Sequence, residues 1–172
     1  LPIPGLSGYG ADWSADGKRI VYTSCLFDNS AIWETFVATA ANGSPAVSLS
    51  DIRKDADIWI MDADGDNKKQ LTTGGDALLP LWQPHGDRIA YLSDPSGKSE
   101  IWTMQSDGTG KTQMTFSEGN VSGYSWSPDG TRIAYVVAAP PGTLPEFSLR
   151  VIESDGSGSE QLTTGNWDTS PV

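Results

Sequence analysis

The sequence predicts an all-β protein, organised as β-propeller blades of four antiparallel strands, with three blades in this chain. Two repeated phrases and one repeat length carry that reading. The first phrase reads "WSADGKRIVYT" from Trp13, "WQPHGDRIAYL" from Trp82 and "WSPDGTRIAYV" from Trp126. The second reads "DIWIMDADGDNKKQLTTG" from Asp57, "EIWTMQSDGTGKTQMTFS" from Glu100 and "SLRVIESDGSGSEQLTTG" from Ser148. Trp82 and Trp126 stand 44 residues apart, and the second-phrase glycines Gly65 and Gly108 stand 43 apart. Four short strands in about 40–45 residues match one propeller blade.

Each half of the repeat is a hairpin. In the first phrase Gly17, Gly86 or Gly130 follows its tryptophan by four residues, and an Arg-Ile pair then opens a β-branched and aromatic run. That is a tight turn feeding a strand. In the second phrase a glutamine follows the Asp-Gly glycine by five residues, at Gln70, Gln113 and Gln161. The glycines are expected to supply the positive φ of these turns. The chain holds 19 Gly and 11 Pro, which suits many turns, and no helical or heptad period is visible.

Bulk composition excludes several functions. The net charge of −11 repels phosphate backbones and anionic membrane surfaces, so a nucleic-acid partner is not expected. No run of 18 apolar residues exists to cross a membrane as a helix. No charged segment leads into an apolar one as in a secretion signal, so such a signal is expected to be absent or already removed. Cys25 is alone, which rules out an intrachain disulfide and a cysteine zinc cluster. His85 is the one histidine, and it occupies the turn slot held by Asp16 and Asp129 in the sister copies.

The phrases "WSPDGTRIAY" and "IWTMQSDGTGKTQMT" resemble the blade repeat of TolB-like propellers, a WD-repeat-like family of bacterial periplasmic and extracellular proteins. The resemblance covers nearly the whole chain. It implies a non-enzymatic protein-interaction module located in the periplasm or outside the cell. The same repeat also occurs in the propeller domains of prolyl-oligopeptidase-like peptidases and in surface propellers that bind ions or sugars, so fold alone does not fix function.

The expected division is blade 1 over about 8–74, blade 2 over about 79–117, blade 3 over about 122–165, and the start of a further blade over 166–172. Blade 1 carries an insertion at 25–56, whose "AIWETFVATA" is compatible with a strand or a short helix. Blade 3 carries "AAPPGTLPEF" at the equivalent place, where three prolines favour a stiff extended loop. Three blades leave open sheet faces, so the chain is expected to be part of a longer one. The alternative is a half-propeller that a homodimer mate completes to six blades.

Trp13, Trp82 and Trp126 hold equivalent positions, as do Trp59 and Trp102, and such repetition points to packing between blades. Trp33 and Trp167 do not repeat and are the better candidates for exposed contacts. The second and third strands of a blade join on the same face as successive blades do, so both insertions project there. The expected partner-binding residues on that face are Phe27, Trp33, Phe36, Asp76, Asn120, Trp167 and Asp168. No catalytic residue is expected: "GLSGYG" fails the G-x-S-x-G pattern at Tyr9, and one histidine cannot hold a metal by several imidazoles. "DADGDN" is read as a turn, because Asn67 and Thr73 stand where an EF-hand needs Gly and Glu. Its clustered acids leave weak calcium binding open, and no other cofactor or metal is implied.

Overall fold

The computed structural model describes residues 10–25, 56–140 and 147–163. Among these, twelve strands form three four-stranded antiparallel sheets, each in chain order. Sheet 1 holds β1 (Ala11–Trp13), β2 (Arg19–Cys25), β3 (Ala56–Asp62) and β4 (Lys69–Gln70). Sheet 2 holds β5 (Ala77–Trp82), β6 (Arg88–Ser93), β7 (Glu100–Gln105) and β8 (Thr112–Gln113). Sheet 3 holds β9 (Asn120–Trp126), β10 (Arg132–Ala138), β11 (Phe147–Glu153) and β12 (Glu160–Gln161). These are propeller blades, and the described part of the chain is a partial ring. The segment "AIWETFVATA" lies outside the described residues.

The turns follow from their acids and glycines. In blade 3, Asp129 Oδ1 accepts from the Ser127 hydroxyl at 2.6 Å and the Thr131 amide at 3.0 Å. These bonds, the Ser127 hydroxyl first, hold the Asp129 carboxyl down at about 2. Asp16 makes the same contacts with Ser14 and Lys18. In the second-phrase turns Gly65, Gly108 and Gly156 take φ of 93°, 89° and 89°, the left-handed region that favours glycine.

Blade 2 departs from the pattern. There the positive φ falls on His85, at 59°, rather than on Gly86. Gly86 is needed for clearance instead: a Cβ would sit 2.3 Å from Gln83 Oε1. The Gln83 side chain passes over it to donate from Nε2 to the Gly130 carbonyl of blade 3 at 2.7 Å.

The core lies between sheets, and strand alternation builds it. Along β6, Ile89 and Tyr91 face blade 1 while Ala90 and Leu92 face blade 3, all of them buried. Val21, Ile58 and Leu71 of blade 1 meet Trp82 and Met104 of blade 2. Leu92, Ile101 and Met114 of blade 2 meet Trp126, Ile133 and Tyr135 of blade 3. Trp82 and Trp126 of the first phrase thus each cover the sheet that precedes their own. Trp82 and Trp126 are 4% and 8% exposed, whereas Trp13 is 56% exposed. The packing expected at Trp13 is missing because no sheet among the described residues lies on that side of blade 1. Trp59 and Trp102 are half-buried, and only Trp102 packs against a core cluster.

Polar bonds fix the blades in register. The Trp82 amide donates to Asp12 Oδ2 at 2.7 Å. The Arg19 guanidinium lies 4.8 Å from the Trp82 ring centroid and donates to Ser106 Oγ and Asp87 Oδ1 of blade 2. Arg88 repeats this one blade on, donating to the Ser154 carbonyl at 3.0 Å. Leu79, at φ 52°, sits where three blades meet. Its amide donates to Thr23 Oγ1 of blade 1 at 3.2 Å, and its carbonyl accepts from the Tyr124 hydroxyl of blade 3. Replacing Trp82 or Trp126 by Ala is expected to destabilise by about 3–5 kcal/mol, the usual cost of emptying a large aromatic site. Trp13→Ala is expected to cost far less, and equal losses in urea unfolding at all three positions would refute the one-sided packing described here.

Candidate interaction face

The long connections join β2 to β3 and β10 to β11, the second and third strands of their sheets. The connections between blades leave from the same end of the sheets as these strand ends do. The short Asp-bearing turns lie at the other end. Of the expected contact residues, Phe27, Trp33, Phe36, Trp167 and Asp168 lie outside the described residues. Asp76 and Asn120 are described, and they lie at the start of successive blades. Asp76 is half-buried and bridges in parallel to Ala56 at the head of β3. Asn120 is exposed, and its Oδ1 accepts from the Ser99 amide at 2.9 Å, so it staples the blade 2–3 connection to the β6–β7 turn.

Two buried carboxylates hold this face in place. Asp57, 8% exposed, accepts at Oδ1 from the Thr72 hydroxyl at 2.7 Å and the Gly75 amide at 3.2 Å. Its Oδ2 accepts from Gln70 Nε2 at 3.0 Å. One blade on, Glu100 is 2% exposed. It accepts from the Thr115 hydroxyl at 2.5 Å and the Ser117 amide at 2.6 Å. Each threonine in turn accepts the next strand amide, Ile58 or Ile101, at 2.9 Å. The outcome is an inter-blade loop whose backbone is bonded to a carboxylate in the sheet, a charge-assisted contact stronger than a neutral one. Blade 3 places Ser148 at the acid's position and keeps Thr163, whose Oγ1 accepts from the Leu149 amide at 3.1 Å. Sequence reasoning missed these residues. The signal was present: an acid opens two of the three second phrases, and a threonine follows each glutamine by two residues.

Where blade 1 meets blade 2, this face opens into a pocket of about 320 Å³. Thr73, Gly74 and Asp76 of the inter-blade loop form one wall, and Tyr91, Pro95 and Trp102 the other. A neighbouring depression of about 230 Å³ shares Pro95 and Trp102 and reaches Lys98, Glu100 and Gln113. Burial, and secondarily the Asp76 charge, raises the Tyr91 phenol well above its ordinary range, so it stays protonated.

Among the described residues no group of three or more His, Cys, Asp or Glu is placed to hold a metal. In "DADGDN", Asp62 Oδ2 accepts from Asn67 Nδ2 at 2.6 Å and Asp64 Oδ1 from the Asp66 amide at 3.0 Å, so these acids close the turn. His85 is exposed in its turn.

Stacked four-stranded sheets joined through an inter-blade face define a β-propeller. The model of the TolB beta propeller domain matches residues 38–172, and the chain belongs to that family. TolB of Agrobacterium tumefaciens is similar in structure at a TM-score of 0.64 and 22% identity, the match covering 95% of this chain and 52% of that one. TolB of Acinetobacter baumannii matches at 0.64 and 20%, covering 95% and 34%. An oligogalacturonate lyase in complex with manganese matches at 0.65 and 19%, covering 90% and 41%. The chain therefore spans about half or less of each of these proteins, and at such identities the likeness shows the fold alone.

The carboxylate clamp is open to direct measurement. Thr115→Val keeps the side-chain shape but removes one donor to Glu100 and the acceptor of the Ile101 amide. A loss of about 2–3 kcal/mol is expected, in line with hydrogen bonds to buried charge. Thr109→Val, in an exposed turn, is expected to stay within about 0.5 kcal/mol. Matching urea midpoints for the two variants would remove the clamp's role.

Proposed function

We propose that the chain is a non-enzymatic protein-interaction module of a TolB-like propeller. It presents the loop-rich inter-blade face to a partner protein in the periplasm or outside the cell. One observation carries the reading: both departures from the repeat length fall between the second and third strands, and so on one face. Long closure costs little, growing only logarithmically with length, so tolerance of the insertions explains their survival but not their shared position. The first insertion brings Leu26, Phe27, Ile32, Trp33 and Phe36, a large apolar load for a connection. Loops on a rigid scaffold are where binding residues concentrate.

Two other readings compete. A propeller region of a larger peptidase is favoured by the likeness to an acylaminoacyl peptidase, of which the match covers 25%, and a sequence with a nucleophile-elbow domain next to the propeller would select it. An ion- or sugar-binding propeller is favoured by the match to the lyase. Trimming 29–50 to a short Gly-Ser link is expected to leave the sheets folded, by circular dichroism, and to abolish capture of the partner. Changing Asp107 and Thr109 on the opposite face is expected to leave capture intact. Undiminished capture by the trimmed protein would move the site elsewhere.

We infer also that further blades cover the two open sheet faces, supplied by a longer chain or by a second copy. Among the described residues, Trp13 on the leading face lacks the preceding sheet that Trp82 and Trp126 have. Among them too, Arg132 on the trailing face makes none of the inter-blade bonds that Arg19 and Arg88 make. The 172-residue chain alone is expected to pair as a two-fold dimer of about six blades. A stable, well-folded monomer in light scattering at high concentration would overturn the dimer.

A further inference from the structure

Three large hydrophobic side chains among the described residues are exposed: Trp13 at 56%, Leu162 at 54% and Phe116 at 81%. The open ends of the array account for two of them. Leu162 holds the repeat position of Leu71 and Met114, and Trp13 that of Trp82 and Trp126. All four of those sisters are buried between sheets. Phe116 differs. It lies between blades 2 and 3, whose sheets are both in place, and its sister positions hold Thr73 and Thr164. The connector that carries it is anchored at every second residue. Thr115 donates its hydroxyl and Ser117 its amide to the buried Glu100 carboxylate. Gly119 lies against the end of β10, where a Cβ would come 1.9 Å from the Ala138 carbonyl oxygen. These three are buried, while Phe116, Glu118 and Asn120 are exposed. The phenyl ring thus stands out from a backbone fixed on both sides, with little chain entropy left to lose on binding.

We propose that Phe116 anchors the partner contact, and that the partner is a protein with an apolar pocket for one phenyl ring and a basic residue at its rim. The inference rests on the interaction reading and names the chemistry of the partner. Aromatic side chains are enriched at the cores of protein interfaces, where a polar rim surrounds them. Single exposed apolar residues are common on protein surfaces. Phe116 is set apart from them by its two fixed neighbours and by the threonines of its own repeat. Charge sets the rim. The Glu118 carboxylate makes no ion pair among the described residues; Lys98 donates to the Glu118 carbonyl instead, at 3.1 Å. Each connection between blades carries one acid, Asp76, Glu118 or Asp168, and no base. A cationic surface is complementary to that pattern, whereas a second copy at −11 would bring like charge. A lipid surface fits less well, because its phosphates would meet the carboxylate beside the ring.

In the whole chain Phe116 is replaced by p-benzoyl-phenylalanine, which keeps the ring and crosslinks on illumination, and the cells of origin are illuminated. The adducts are expected to converge on one peptide of one protein, with Lys or Arg close by. That protein, purified, is the probe for titration calorimetry. Phe116→Thr, which restores the sister residue, is expected to bind it at least about thirtyfold more weakly, the scale of a hot spot. Its thermal midpoint is expected to match the parent's. Glu118→Lys is expected to weaken binding about tenfold at low ionic strength and much less at high salt. Thr109→Val, in a turn at the other end of the sheets, is expected to bind as the parent does. Adducts to lipid, adducts scattered over unrelated proteins, or none at all would overturn the proposal. So would undiminished binding by Phe116→Thr or Glu118→Lys, and so would a lowered midpoint for Phe116→Thr, which would make the ring structural. The protein trimmed over 29–50 keeps the two readings apart. Capture lost on trimming but kept by Phe116→Thr sinks this proposal alone, and capture by no form sinks both.

Discussion

Among the described residues every sheet has two apolar faces and no helix covers either, so each depends on the sheet beside it. Burial between sheets is the constraint from which the other features follow. It explains why β6 alternates Ile89 and Tyr91 against Ala90 and Leu92, and why both sets are apolar: an internal blade is buried on both sides. It explains why the conspicuous tryptophan stands at the end of the first strand, where its ring closes over the preceding sheet. Burial has no direction of its own, however. Register comes from the directional bonds laid across the same junction, such as the Trp82 amide to Asp12 and Arg88 to the Ser154 carbonyl.

The inter-blade face inherits its order from that stacking. Asp57 and Glu100 open the third strands of blades 1 and 2 and reach into the loops that start the following blades. A loop tied at its backbone presents its remaining side chains at fixed positions, which lowers the entropy a partner must remove on binding. The same arrangement places Asp76 one residue beyond a clamped glycine. The clamp and the candidate contact residue are thus neighbours in one loop.

Much of the fold was legible because repetition is a property of sequence. Three copies of each phrase, and the spacing between them, specify hairpins, strand count and the location of both insertions without any tertiary information. What repetition does not convey is whether a neighbour exists. Trp13 has the same local sequence as Trp126 but a different environment, since exposure is decided by the adjoining sheet. Nor does it convey which of two adjacent residues takes a special conformation. Gly86 looks like Gly17 and Gly130, yet the positive φ falls on His85, and the Gln83 side chain occupies the space above the glycine. The clamp acids were hidden differently: an acid at the edge of an apolar run reads as a strand end, and its partner lies 15 residues away. Of the candidate contact residues, Asp76 and Asn120 follow from loop position alone, and the structure places them at the starts of blades 2 and 3.

The peptide at Leu79 links three blades through one residue, with its amide tied to Thr23, its carbonyl to Tyr124, and its φ held in a region a leucine side chain disfavours. Such a residue acts as a keystone. Hinging blade 1 away from blade 2 loads the amide side, while hinging blade 3 loads the carbonyl side, and both strains converge on a backbone unit already held uphill. Blades joined in that way share one backbone unit, so separating either neighbour from blade 2 acts on the same peptide.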